Sequence, residues 1–446
     1  MVRAIVLCCL QCNKLRMDWI LLIIFLIALY AAVAYYIHSR KLWENHITFY
    51  GPIMAIKTSR IGFFDKFAAF RRFFRIYGSA GVIAVIIVSV FITVMLFISV
   101  RYTLLVQPEP TGIYKPQNIL LLPGINEYVP STLAVWLAFI ITIGVHEFGH
   151  AILCRVENIK VKTMGALIAV IPIGFFVEPD EEALENTKGM AKIRMFGAGI
   201  TNNLIVGFSC FILLILCMGL VTPVSLPVIH GIYKDYPADR AGIPPGSIVT
   251  AINGVPISSR AEVSVILNAT KPGDSLVLTA RHDTDVRDYP LTLAAWPADI
   301  PGRTSGFMGV EYYDGTAVMA VVGGLLSPIG FFQFLIIPFA NDTGIQFLRI
   351  LAFDTPDTTY YTVPFQGFWG VIHLLFWCAW INLNVGIFNA IPMIPLDGGY
   401  IFKEGLDRLL DRRGLIKYSG YVSSALSFLI LIVLVSLITL PYLLHI

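Results

Sequence analysis

Two histidines and a glutamate form the first cluster in this sequence that could do chemistry. His146 and His150 stand four apart in Gly144-Val145-His146-Glu147-Phe148-Gly149-His150. On an α-helix this spacing puts both imidazoles on one face, where they can hold a single ion, with Glu147 beside them. The chemistry it suits is zinc-assisted hydrolysis. The motif lies in an apolar run, Thr132 to Cys154, that carries no other charged residue. A run of about 20 apolar residues crosses a bilayer as a helix, and a carboxylate flanked by histidines at membrane depth is costly unless it has a function. The competing readings are a chance match, or a helix whose polar groups bind only each other.

A second candidate lies far along the chain, in Asn389-Ala390-Ile391-Pro392-Met393-Ile394-Pro395-Leu396-Asp397-Gly398-Gly399. Each proline removes a backbone donor and clashes with the preceding turn, so a helix must end here and the chain unwind. Asp397 follows the break, shortly before Lys403, much as His150 comes shortly before Arg155. Judged by these charged boundaries, all three groups sit at one depth, near the cytosolic face. A carboxylate there can supply a third protein ligand and leave the fourth tetrahedral position open to water. The alternative is an Asp that merely caps the next helix.

These side chains have to be positioned by membrane helices. The 446 residues are 57% hydrophobic and 14% charged, against about 25% charged in soluble domains. Mean hydropathy is +0.75. The net charge of +3 gives no reason to expect nucleic acid as a partner. The seven cysteines show no disulfide framework, and Cys8, Cys9 and Cys12 are read as incidental. Six runs are long enough to span: Trp19–Ile37, Ala80–Val100, Thr132–Cys154, Phe196–Leu220, Phe368–Ile391 and Val422–Leu444. The first is too long for a signal-peptide core and is read as a retained anchor. Basic loops are expected to face the cytosol. They lie between the first two runs (Arg40 to Arg75), after the histidine run (Lys160 to Lys192) and before the last run (Lys403 to Lys417). Both termini then lie outside, although Lys14 and Arg16 oppose this. Val161–Val177 is apolar but too short to span and is broken by Gly165, Pro172 and Gly174. It fits a re-entrant hairpin, or equally a segment lying along the surface. Thr316–Ala340 contains Pro328 and Pro338 and is read as a broken segment, with Asn341–Pro364 extracytoplasmic.

Between the fourth and fifth runs lies a polar stretch, Pro223 to Trp296, with the features of a β-rich soluble domain. Asn253-Gly254 between apolar residues marks a tight hairpin. A helical stretch covers Arg260 to Asn268, and Leu276 to Arg281 reads as a strand. The order of Tyr236-Pro237-Ala238, Ala241-Gly242 and Ile252-Asn253-Gly254 resembles the PDZ domains of membrane and periplasmic proteases. A PDZ fold accepts an extended peptide as an added strand; the alternative is a spacer that binds nothing.

Taken together, the motifs resemble the site-2 proteases, intramembrane zinc metalloproteases. His-Glu-x-x-His matches His146, Glu147 and His150; Asn-x-x-Pro followed by Asp-Gly matches Asn389, Pro392, Asp397 and Gly398; and Gly-x-x-x-Asn matches Gly199 and Asn203. The two extra N-terminal spans and the long segment after the PDZ-like stretch depart from the pattern. The resemblance implies a membrane all-α fold, a polytopic bundle of about six spans with an inserted β-rich PDZ-like domain. It divides into an anchor region (1–125), a first segment of the catalytic membrane core (126–222), the PDZ-like domain (223–296), a connector (297–366) and a second core segment (367–446). It implies one zinc ion on His146, His150 and Asp397, with Glu147 as general base. Asn203 and Gly199 are assigned to substrate or transition state, and Asn389 to the unwound substrate backbone. The implied partners are transmembrane protein substrates in the lipid bilayer and a peptide on the PDZ-like domain, which is placed outside, while the zinc site lies near the cytosolic side. The implied activity is cleavage in or near a substrate's transmembrane helix, releasing a cytosolic fragment. Two rival classes are a PDZ-containing membrane scaffold with a structural metal site, which would need a closed four-ligand set, and a metal transporter, which would need ligand sets repeated across the bilayer.

Overall fold

Apolar runs with no water to bond their backbones have to satisfy those groups internally, and helices do so. The computed structural model describes residues 21, 24–298, 300, 302–340, 345–353 and 360–445. Five helices are long and apolar enough to cross a membrane: Arg71–Val106, Leu133–Val156, Met190–Met218, Phe368–Asn389 and Ile416–Leu443. A shorter apolar helix, Ile24–Ser39, covers the described part of the expected anchor. Cys8, Cys9, Cys12, Lys14, Arg16 and the start of that anchor lie outside the described residues, as does part of Asn341–Pro364.

The chain divides into two units, residues 1–209 with 377–446, and residues 210–376. In the first, the histidine helix Leu133–Val156 opens where Thr132 accepts a hydrogen bond from the Val135 amide. It crosses the helix Met190–Met218 closely at Gly149, where an added Cβ would lie 2.7 Å from the Ala198 carbonyl oxygen. Polar side chains tie the histidine helix to its two neighbours. Asn202 Nδ2 donates to the Val145 carbonyl at 3.0 Å, and buried Asn382 Nδ2 donates to Thr142 Oγ1 at 2.7 Å. At the helix's far end Glu157, its side chain 1% exposed, accepts from Arg75 at 3.0 Å and Arg194 at 2.8 Å. Removing one partner of such a buried group costs far more than a surface pair is worth. Arg71, Arg72 and Arg75 therefore belong to a helix, where a loop was expected. Their long apolar-and-basic helix begins nine residues ahead of the expected Ala80 and is tied to the core by Glu157.

The first unit also holds a sheet that was only half expected. Strands β1 (Ile47–Tyr50), β2 (Ile53–Thr58), β3 (Val161–Ala169) and β4 (Ile171–Pro179) pair antiparallel in the order β1-β2-β3-β4. The segment Val161–Val177 is thus a hairpin, joined by a second hairpin from the basic loop, with Met54 opposite Ile168. Tyr30 on the short apolar helix donates to the Ile168 carbonyl at 2.9 Å. β4 remains an edge strand.

In the second unit the inserted domain has strands β5 (Ile229–Ile232), β6 (Ile248–Ile252), β7 (Val255–Pro256), β8 (Ser275–His282), β9 (Asp285–Thr292) and β10 (Val310–Tyr312). They form a sheet in the order β9-β8-β6-β7 and a separate pair, β10 with β5. Asn253 and Gly254 take φ of 50° and 77° at the β6–β7 turn, the left-handed pair that a two-residue hairpin needs. The helix covers Arg260–Asn268 as expected. The domain does not stop at Trp296: its core, built on Val249, Ile252 and Leu278, also takes in Met308 and Val310. The connector then breaks into two apolar helices, Gly315–Gly324 and Pro328–Phe339, bent by 111°. Pro328 sits in the first turn of the second, where its missing donor costs nothing.

Candidate metal centre

The chain unwinds between Asn389 and Asp397 and starts a new helix, Asp397–Asp411. Leu396 takes the N-cap position and Asp397 is the first helical residue, so Asp397 is not the cap. Its carboxylate meets the histidine helix instead. Oδ2 lies 3.1 Å from His146 Nε2 and 3.3 Å from His150 Nε2, and the two Nε2 atoms are 3.2 Å apart. Tetrahedral ligands about 2.0–2.1 Å from zinc stand about 3.3–3.4 Å from one another. The three separations therefore fit a zinc ion, and the donor set of two imidazoles and one carboxylate suits it chemically. Asp397 Oδ2 is buried without a hydrogen bond of its own, as a group reserved for a cation would be. His146, His150 and Asp397 form the one such cluster found among the described residues.

The surroundings orient each side chain of the cluster. His150 Nδ1 lies 2.9 Å from the Met195 carbonyl oxygen. A carbonyl only accepts, so Nδ1 carries a proton there, the arrangement that leaves Nε2 as the nitrogen a cation could take. His146 Nδ1 lies 3.1 Å from the Asn203 carboxamide. Glu147 is not part of the trio; its Oε2 accepts the Val177 amide of edge strand β4 at 3.0 Å. Gly199 packs against the site itself, since a Cβ built there would stand 2.6 Å from both Nε2 atoms. Asn389 is half-buried, and its amide nitrogen turns back to the Val385 carbonyl at 3.1 Å; no hydrogen bond joins it to the histidines or Asp397.

The structure brings together His146, His150 and Asp397, which the sequence had singled out, and leaves Asn389 apart from them. Sequence reasoning missed Met195, Asn202, Thr142, Asn382 and the Val177 amide. An asparagine in an apolar helix was the readable signal for Asn202 and Asn382, because a polar side chain at that depth needs a partner. A backbone carbonyl or amide gives no such signal.

Gly199 yields a testable consequence. Gly199→Ala forces a methyl group into the space where the ligand atoms converge, and overpacking a rigid site costs about 1–3 kcal/mol. Zinc affinity, measured by chelator competition on the purified protein, is expected to fall by about 10- to 100-fold. An unchanged affinity would show that the imidazoles can step aside.

Fold and site together define a membrane-embedded helical protein with a β-rich insert and a His-His-Asp cluster that could hold a metal. The model of Peptidase family M50 matches residues 134–434, a span that contains both constellations, and the chain belongs to that family. Its relatives include the zinc metalloprotease RasP of Shouchella clausii, 27% identical over 53% of this chain and 56% of that protein. An uncharacterized protein, MJ0971, of Methanocaldococcus jannaschii is 23% identical over 82% of this chain and 80% of its own length. A membrane-bound transcription factor site-2 protease homolog of Arabidopsis thaliana is 25% identical over 41% of this chain and 34% of that protein. The match thus spans little more than half the length of the RasP relative. Among solved structures, the PDZ domain of an SdrC-like protein from Listeria innocua matches 20% of this chain and 94% of that domain, at 21% identity and a TM-score of 0.18.

Proposed function

We propose that the chain is an intramembrane zinc metalloendopeptidase, which hydrolyses a peptide bond in or beside the transmembrane helix of a membrane protein and releases a cytosolic fragment. The observation that carries this reading is the convergence of His146, His150 and Asp397 with all ligand atoms within 4.8 Å of one another, next to a glutamate that is not a ligand. A structural zinc site is closed by four protein ligands; an open set of three with an adjacent carboxylate is the catalytic pattern. Zinc, when bound there, supplies a Lewis acid that acidifies water and polarises a peptide carbonyl.

The remaining work falls to the chain's own side chains. Glu147 takes a proton onto its carboxylate and later returns it to the leaving amine nitrogen. His146 and His150 would hold the ion through Nε2, their rings oriented by Asn203 and Met195. A substrate helix hides its carbonyls in its own hydrogen bonds and has to be drawn out before attack. The outer edge of β4, beyond the Val177 amide that Glu147 holds, offers a strand-pairing surface for the extended segment, and Asn389, at the last turn before the unwound stretch, is suited to bind its backbone. The PDZ-like domain would bind a peptide or exclude bulky substrates from the extracytoplasmic side. Facing the zinc site toward the cytosol follows from the basic loops on either side of it.

The test is cleavage of a panel of transmembrane substrates by the full chain in liposomes. Chelation is expected to stop product release and about one equivalent of zinc per chain to restore it. A protein that binds zinc yet cuts no member of the panel, or cuts equally well after chelation, would refute the reading.

A further inference from the structure

We infer that Asn203 is a positioning residue for the metal, one that holds His146 in the tautomer that leaves Nε2 free, by accepting a hydrogen bond from Nδ1–H. The inference rests on the proposed zinc site and assigns Asn203 a role other than oxyanion stabilisation.

Asn203 is fully buried, and its carboxamide lies 3.1 Å from His146 Nδ1, the ring nitrogen that does not face Asp397. With Nδ2 as the atom toward the ring, Oδ1 is left buried with no partner. An Nδ2–H that donates to Nδ1 leaves the ring proton on Nε2, where Asp397 Oδ2 is 3.1 Å away. That tautomer cannot bind a cation through Nε2. The two ends of a carboxamide occupy nearly the same space, and a half-turn of the amide exchanges donor for acceptor. With Oδ1 toward the ring, the proton moves to Nδ1, the orphaned oxygen gains a partner, and Nε2 presents its lone pair. His150 has a fixed arrangement by contrast, because Met195 offers it a carbonyl that can only accept. One imidazole is thus oriented by a carbonyl that only accepts, and the other by a carboxamide that can present either end. The position of Asn203, one turn of helix from Gly199, places the carboxamide beside the same ring that Gly199 leaves room for.

The proposal separates acceptor from donor, and two substitutions test it. Asn203→Leu keeps the shape and removes the hydrogen bond. Asn203→Asp keeps an acceptor and, as a carboxylate, cannot donate to Nδ1. Zinc affinity of the purified full chain in detergent is measured by competition with a chelator of known affinity, with thermal unfolding of the metal-free proteins as a folding control. Loss of such a hydrogen bond to a metal-binding histidine costs about 10- to 100-fold in affinity, so that is the loss expected for Asn203→Leu. Asn203→Asp is expected to bind zinc at least as tightly as the wild type. Equal loss in both variants would make Asn203 a donor or a packing residue and overturn the inference. Unchanged affinity in both, with turnover reduced, would return it to the oxyanion role and overturn the inference equally. If Asn203→Leu does not fold, the Asn203→Asp result alone decides, because a weakened affinity there contradicts an acceptor role. A wild type that binds no zinc removes the proposed metal site itself, and this is recognised before any variant is compared.

Discussion

Glu147→Gln is expected to lower turnover of a transmembrane substrate by about 10²- to 10⁴-fold, the contribution typical of a positioned general base, while zinc content stays near one per chain. The split follows from geometry. Glu147 is a neighbour of His146 in sequence and shares no ligand atom with the trio formed by His146, His150 and Asp397. Its Oε2 accepts the Val177 amide at 3.0 Å, and the glutamine carboxamide oxygen can keep that bond. The substitution therefore leaves shape and local structure in place and removes the ability to take a proton. Side-by-side zinc analysis, thermal unfolding and a liposome cleavage assay check it. Turnover within tenfold of the wild type would take Glu147 out of the mechanism, and a parallel loss of zinc would move it into the ligand set.

The parts of the site that were legible in the sequence are those written in short-range spacing. A helix repeats its faces every three to four residues, so His146 and His150 could be placed together from their numbers alone. Pro392 and Pro395 announced the break after which the helix bearing Asp397 begins. Asn253-Gly254 and the Arg260–Asn268 helix were legible for the same local reason. What stayed hidden depends on partners far along the chain. Strand β2 could not be found because its pairing with β3 sets Met54 against Ile168, and no periodicity in the basic loop reports such a neighbour. The end of the inserted domain was misplaced because β10, three residues long, pairs with β5 across most of the domain. Arg71, Arg72 and Arg75 read as loop because charge was the only signal. Their helix is explained by Glu157, whose buried carboxylate Arg75 and Arg194 share.

Asp397→Ala is expected to abolish both zinc retention and cleavage, which separates a ligand from a base. The residue reaches the trio from a different helix, begun after the proline break, and its Oδ2 stands 3.1 and 3.3 Å from the two Nε2 atoms. Without it two imidazoles remain, too few to hold zinc against competition from solvent and chelator. Thermal unfolding gives a readout independent of activity. A ligand that binds only the folded state stabilises it by RT ln(1 + [L]/Kd), about 2.7 kcal/mol at a concentration of 100 Kd. Added zinc should therefore raise the Tm of the wild type and of Glu147→Gln, and leave that of Asp397→Ala where it was. If this variant kept stoichiometric zinc with an unchanged affinity and a normal Tm increment, Asp397 would be no ligand, and the three-residue centre on which the proposed hydrolysis depends would have to be abandoned.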